Sequence, residues 1–177
     1  MSQGINKQRR WFLQGHNRMP EVVLQRPPWW RSESLTQHAC RECNLCVSSC
    51  PEKIIAKDEF GLPIVDFSAS GCNYCDACAS ACPSEYFLEK TLRTTDQAWQ
   101  QHAVLNSQCL SHRDVVCQSC QDICDVDAIG FIYRDRIPRP VVRTDNCNGC
   151  GYCLSVCPTT AIDIVSSEEA RKDNEHV

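Results

Sequence analysis

Sixteen of the 177 residues are cysteine, and they fall into four groups of four. Group one is Cys40, Cys43, Cys46 and Cys50, followed by Pro51. Group two is Cys72, Cys75, Cys78 and Cys82, followed by Pro83. Group three is Cys109, Cys117, Cys120 and Cys124, followed by Asp125. Group four is Cys147, Cys150, Cys153 and Cys157, followed by Pro158. Groups one, two and four read C-x2-C-x2-C-x3-C-P, and group three opens with x7 in place of the first x2. Two residues between cysteines let a tight loop bring three thiolates to three irons of one cubane. The fourth cysteine lies one helical turn beyond the third, where it begins to leave the loop. In two-cluster ferredoxins the fourth cysteine of this run ligates the other cluster.

The competing uses of cysteine fit poorly. Structural zinc prefers C-x2-C pairs separated by longer arms. A disulfide framework gives no reason for a proline after the fourth cysteine at three of four sites. A C-x3-C-x2-C run, which a radical centre would need, is absent. The chemistry expected is four [4Fe–4S] clusters that hold and pass electrons, and sixteen ligands for four clusters leave no open coordination site for a substrate.

The groups form a duplicated duplicate, which pairs one with two and three with four. One cluster would take Cys40, Cys43, Cys46 and Cys82, and its neighbour Cys72, Cys75, Cys78 and Cys50. In the second half one would take Cys109, Cys117, Cys120 and Cys157, and the other Cys147, Cys150, Cys153 and Cys124. A nested pairing, one with four and two with three, stays open at this point. Group three is irregular twice, in its longer loop and in Asp125, whose N–H and carboxylate beside Cys124 could shift a cluster potential.

The elements that must position these cysteines are short. Ile54–Lys57 and Ile64–Phe67 around a turn at Asp58–Pro63 read as a hairpin. Ala128–Tyr133 and Val141–Val142 repeat that design, and Ala161–Val165 reads as a closing strand. Leu45–Cys50 and Tyr152–Cys157 read as short helices ended by proline. Ala98–Leu105 reads equally as a strand or a short helix. The expected fold is α+β: tandem bacterial-type 2[4Fe–4S] ferredoxin-like halves, small and cluster-stapled, with an N-terminal arm. The expected divisions are a basic arm over 1–38, a first dicluster half over 39–88, a connector over 89–108, a second dicluster half over 109–166 and a polar tail over 167–177.

Composition agrees with a metal-built core. Without cysteine the apolar residues are roughly a third of the chain, few for a protein of this size, and small scaffolds of that kind are held by disulfides or metals. The formal charge is −4, with Lys7, Arg9, Arg10, Arg18, Arg26 and Arg31 against Glu21 and Glu33 in the arm. The rest is therefore strongly acidic, and oxidised clusters add further negative charge. No apolar run approaches the length of a membrane span. There is no P-loop and no dinucleotide fingerprint. The histidines, His16, His38, His102, His112 and His176, are scattered, and only His38 and His112 flank cluster loops.

Ahead of the cysteines stand Arg9-Arg10-Trp11-Phe12-Leu13 and Arg26-Pro27-Pro28-Trp29-Trp30. This basic, aromatic arm, the four groups, the longer first gap of group three and the Asn148-Gly149-Cys150-Gly151 stretch together resemble the NapF family, ferredoxin-type accessory proteins of the periplasmic nitrate reductase system. The resemblance implies a cytoplasmic protein that is not an enzyme. It implies binding to the precursor of the nitrate reductase catalytic subunit before export and help in its maturation, by cluster assembly or redox handling. Nucleic acid is not an expected partner. The alternative is an electron-transfer subunit of a redox complex. Arg9, Arg10, Trp29 and Trp30 are candidate partner-binding residues, although Trp29 and Trp30 are expected to fold back onto the cluster core rather than form a docking patch. The Arg-Arg pair looks like a twin-arginine export signal, but Gln14–Pro20 is polar where an apolar segment would follow, so export is not expected.

Overall fold

The computed structural model describes residues 25–31, 40, 43–133 and 136–166. Arg9, Arg10, His38 and the expected tail over 167–177 lie outside them. Four helices of four or five residues follow the second cysteine of each group: α1 (Leu45–Ser49), α2 (Ala77–Ser80), α3 (Ser119–Asp122) and α4 (Tyr152–Ser155). Helices this short are not stable alone, and no side chain caps the start of any of the four. Their role is geometric: one turn sets the third and fourth cysteines on one face.

The strands are equally short. β1 (Ile55–Lys57) and β2 (Pro63–Val65) form the first hairpin, with Ile55 opposite Val65. Its turn is built by Asp58, whose Oδ1 accepts from the N–H of Phe60 and Leu62, both at 2.9 Å. β3 (Gln101–Leu105) falls in the stretch expected to be a connector and is a strand. β4 (Ile129–Ile132) and β5 (Arg139–Val142) repeat the hairpin, with Ile129 opposite Val142. β6 (Ile162–Ser166) closes the chain of strands and pairs antiparallel with β3, Gln101 opposite Ser166.

The β3–β6 pairing has a counterpart in the first half. Trp30 bridges Phe87, Arg31 N–H donates to Tyr86 O and Leu88 N–H to Trp29 O, both at 2.9 Å. In each half, then, the segment before the first cysteine group pairs with the segment after the second. Residues 29–31 are thereby part of the first half's sheet structure, and residues 101–105 part of the second's.

Apolar burial follows the same division. One core gathers Trp29, Ile54, Ile55, Val65, Phe67 and Phe87 around Cys72 and Cys78. The other gathers Ala103, Ile129 and Ile162 around Cys120 and Cys153. Leu154 and Ile164 pack against both. Cysteine is a structural part of each core, as the shortage of other apolar residues requires. Among the described residues no helix is long and apolar enough to cross a membrane.

Trp29 anchors the arm to the first half. It is 2% exposed, its Nε1–H donates to Thr94 O at 2.7 Å, and its ring meets Tyr74 edge-on at 6.3 Å. Its φ of +62° is in the left-handed region, which a side chain this large adopts only where packing outweighs the strain. Close by, Arg26 pairs with Asp58 at 2.8 Å, both side chains largely enclosed.

Two outcomes are expected. Trp29→Ala should remove about 3–5 kcal/mol of stability, as large core truncations do; an unchanged denaturant midpoint, measured anaerobically, would contradict this packing. Burial pushes the Asp58 carboxyl up, but Arg26 and the Leu62 and Phe60 N–H groups together bring it below its ordinary value. Its contribution is therefore complete above the usual carboxylate range and is lost as pH falls through the lower folded value, below about pH 4. Asp58→Asn should flatten that acid limb in a stability–pH series, and an acid limb equal to the native one would refute it.

Candidate metal centres

The structure brings the cysteines together in four sets. Cys50, Cys72, Cys75 and Cys78 line one enclosed space, covered by Trp29, Ile54 and Ile55. Cys109, Cys117, Cys120 and Cys157 line another, covered by Leu105, Phe131 and Ile162. The mutual repulsion of the thiols marks the remaining two. Cys40 is pushed up by burial and then by Cys82, Cys46 and Cys43, with Lys57 opposing. Cys153 is pushed up to about 12 by burial and then by Cys150, Cys147, Cys120 and Cys124. Cys50 and Cys82 thus stand with each other's loops, and Cys124 and Cys157 do the same. Cys50 lies with group two, not with group four.

Loop conformation carries the duplication further. In group two, Tyr74 has φ +56° and Asp76 φ +62°. Group four places Gly149 at φ +73° and Gly151 at φ +83° in the corresponding positions. Groups one and three instead share an entry near the bridge region at negative φ, with Asn44 at φ −121°, ψ 11° and Gln118 at φ −131°, ψ 9°. Groups one and three are one design, and groups two and four the other.

A second recurring device follows the fourth cysteine. Lys53, Asp127 and Thr160, each three residues beyond it, adopt φ between +50° and +55°. Their N–H groups return to the carbonyls of Cys50, Cys124 and Cys157 at 3.2, 3.1 and 3.4 Å. That turn points the next N–H back at sulfur: Ala128 N–H reaches Cys124 Sγ at 3.3 Å and Ala161 N–H reaches Cys157 Sγ at 3.2 Å. Tyr74 N–H approaches Cys72 Sγ, and Ala103 N–H approaches Cys147 Sγ, both at 3.4 Å. Such bonds stabilise negative charge on ligand sulfur and so bear on reduction potential.

The irregularities of group three acquire a place. The bond to Cys124 Sγ does not depend on the absence of proline, because Ala161 makes the same bond after Pro158. What Asp125 adds is charge beside Cys150, whose thiol it helps to raise after burial and other cysteines. The long loop is clamped: Ser111 is fully buried and its Oγ donates to Cys117 O at 3.0 Å, while Arg139 reaches Ser111 O and the carboxylate of Asp114. Val115 and Val116 are left exposed on it.

The donor set fits iron–sulfur clusters. Each set offers four thiols and no imidazole, the soft donors such clusters take. Among the described residues no three metal-binding side chains converge on a single ion. A cubane takes one thiolate on each of four irons, which is what four thiols per set would supply. Burial pushes Cys72 and Cys78 up to about 12 and Cys120 to about 11, so these groups need a metal's positive charge beside them to be thiolates at neutral pH.

The other singled-out residues are placed as follows. Trp29 is buried against group two, and Trp30 is half-buried against Phe87 at 5.2 Å. His102 is buried on β3 and His112 is exposed. Sequence reasoning missed Ala128, Ala161 and β3 as supports of the cysteine sets. A signal was present for the alanines: Ala128-Ile129 and Ala161-Ile162 recur four residues after the fourth cysteine. Nothing comparable marked Gln101, whose Nε2–H donates to Gly149 O at 2.9 Å.

Comparison with known proteins defines the class. A 4Fe-4S dicluster domain matches residues 39–86 and again 115–170, so the chain carries 4Fe–4S clusters in tandem dicluster ferredoxin domains. Cys109 stands ahead of the second match, in keeping with its displaced position. The ferredoxin-type protein NapF of Haemophilus influenzae is 37% identical over 168 residues, covering 89% of this chain and 93% of the relative. NapF of Escherichia coli K12 is 35% identical, covering 89% and 94%. The methylamine utilization ferredoxin-type protein MauM of Methylorubrum extorquens is 30% identical over 77% of this chain. The chain belongs to the NapF family of ferredoxin-type proteins.

Ala161 is 1% exposed, with its N–H on Cys157 Sγ. Ala161→Val should overpack this site and cost about 1–3 kcal/mol, read as a lower midpoint of thermal cluster loss. A variant as stable as the native chain would show that the turn has room the structure does not give it.

Proposed function

We propose that the chain holds four [4Fe–4S] clusters with all sixteen cysteines. The crossed sets are Cys40, Cys43, Cys46 with Cys82; Cys72, Cys75, Cys78 with Cys50; Cys109, Cys117, Cys120 with Cys157; and Cys147, Cys150, Cys153 with Cys124. The observation that carries this reading is the enclosure of Cys50 with group two and of Cys157 with group three. Bound clusters supply one-electron redox chemistry. The chain's own residues bury them, donate N–H groups to their sulfurs and exclude solvent. With every ligand position used, no iron is open to a substrate, and the protein is not an enzyme.

On this reading the protein is a cytoplasmic accessory factor. It binds the precursor of the periplasmic nitrate reductase catalytic subunit and assists its maturation before export, through cluster assembly or redox handling. Membership of the NapF family supports this. The basic arm, opposite in sign to the acidic cysteine core, suits recognition of a protein partner. A second reading, an electron-transfer subunit, is favoured by the closeness of successive sets: Cys78 feels Cys46, Cys72 feels Cys150 and Cys153 feels Cys120. Anaerobic capture separates them. The accessory role expects a stable complex with the precursor subunit that weakens in Arg9→Ala/Arg10→Ala; failure to capture the precursor would end it.

Two further outcomes test the ligand sets. Cys82→Ala should disturb the cluster of Cys40, Cys43 and Cys46 and spare the one beside its own loop, as resolved by redox-poised EPR; loss of the group-two cluster would reverse the assignment. Cluster insertion converts thiols to thiolates and so must release protons. Reconstitution should therefore quicken from about pH 7 to about pH 9, and a flat profile would contradict it.

A further inference from the structure

The two halves meet where the loop of group two faces the loop of group four. Cys72 N–H donates to Cys150 O at 2.7 Å. Two residues on, the Tyr74 hydroxyl donates to Asn148 O, also at 2.7 Å. The backbones approach so closely that a Cβ on Gly151 would strike the Phe67 ring, and one on Gly71 would strike Tyr152. Tyr74 is wedged here in a left-handed conformation, φ +56°, with Trp99 edge-on at 5.8 Å.

We propose that this junction joins the two dicluster halves into a single electron path, along which clusters held by Cys72 and Cys150 would be coupled directly, and that Tyr74 is the residue positioning it. The proposal rests on the ligand sets given above. The route from one sulfur to the other runs through the Cβ, Cα and N–H of Cys72, across one hydrogen bond, and through the carbonyl, Cα and Cβ of Cys150. It crosses no gap between side chains. An electron lost by one cluster held there would be gained by the other, with no bond formed or broken.

The junction also fixes an order. Within each half, neighbouring clusters share a helical turn, Cys46 to Cys50 and Cys153 to Cys157. Joined at Cys72 and Cys150, the four form a line with the Cys40 set at one end and the Cys109 set at the other. The clusters of groups two and four would then be interior relays.

The test is EPR of the full chain, reconstituted anaerobically and reduced with a deazaflavin photoreductant, with iron and sulfide measured on the same sample. The native spectrum should require a spin interaction between the halves. A spectrum that simulates completely as two isolated pairs, at full iron content, overturns the junction and leaves the ligand sets standing. Iron well short of four clusters overturns the ligand sets and the junction together. Gly151→Ala should force the loops apart and lose the interaction between the halves while keeping the interaction within each. Tyr74→Phe, which keeps the ring and removes the bond to Asn148, should weaken it in the same direction. A Tyr74→Phe spectrum identical to the native one removes Tyr74 from the role.

Discussion

The fold depends on one constraint: sixteen thiols must be drawn together in four sets, with the inner members of each set buried. A thiol in an apolar setting resists ionisation, and thiolates side by side repel one another. Cys72, Cys78 and Cys153 lie furthest from their ordinary value for this reason. Everything else in the structure is short because it answers to this demand. Helices of one turn and strands of three to five residues could not hold a conformation through their own packing. They persist as the connections between cysteines whose positions are set together.

Duplication is the means by which a small chain meets the demand four times. Groups one and three share an entry geometry, and groups two and four share the other. The second design needs two left-handed residues per loop. Group four fills those positions with Gly149 and Gly151, while group two fills them with Tyr74 and Asp76. The cost accepted at Tyr74 has a visible return in the contact with group four. The two copies have diverged where they face each other, one supplying the ring and hydroxyl, the other the glycines that let the backbone come near.

Much of this was legible in the sequence. Cysteine spacing marked the loops and helices, because an i to i+4 pair after two C-x2-C steps leaves few conformations. The hairpins were legible from β-branched runs around Asp58–Pro63 and Arg134–Pro140, and β1–β2 and β4–β5 lie there. What was not legible depends on partners far apart in the chain. Gln101–Leu105 carries no pattern that selects strand over helix; it is a strand because β6 lies beside it. Trp29 is expected to fold back on the core and does so, but its partners Thr94 and Tyr74 meet it only in the fold. The Cys72–Cys150 contact joins two backbones, and no side-chain pattern can announce it.

Four filled cysteine sets fix how much iron and sulfide the chain holds. Anaerobically purified full-length protein, measured for both and examined by Mössbauer spectroscopy, should contain iron and acid-labile sulfide in equal amounts, all in cubane form, enough to occupy every one of the four cysteine sets. Half that content, or iron without sulfide, would contradict it.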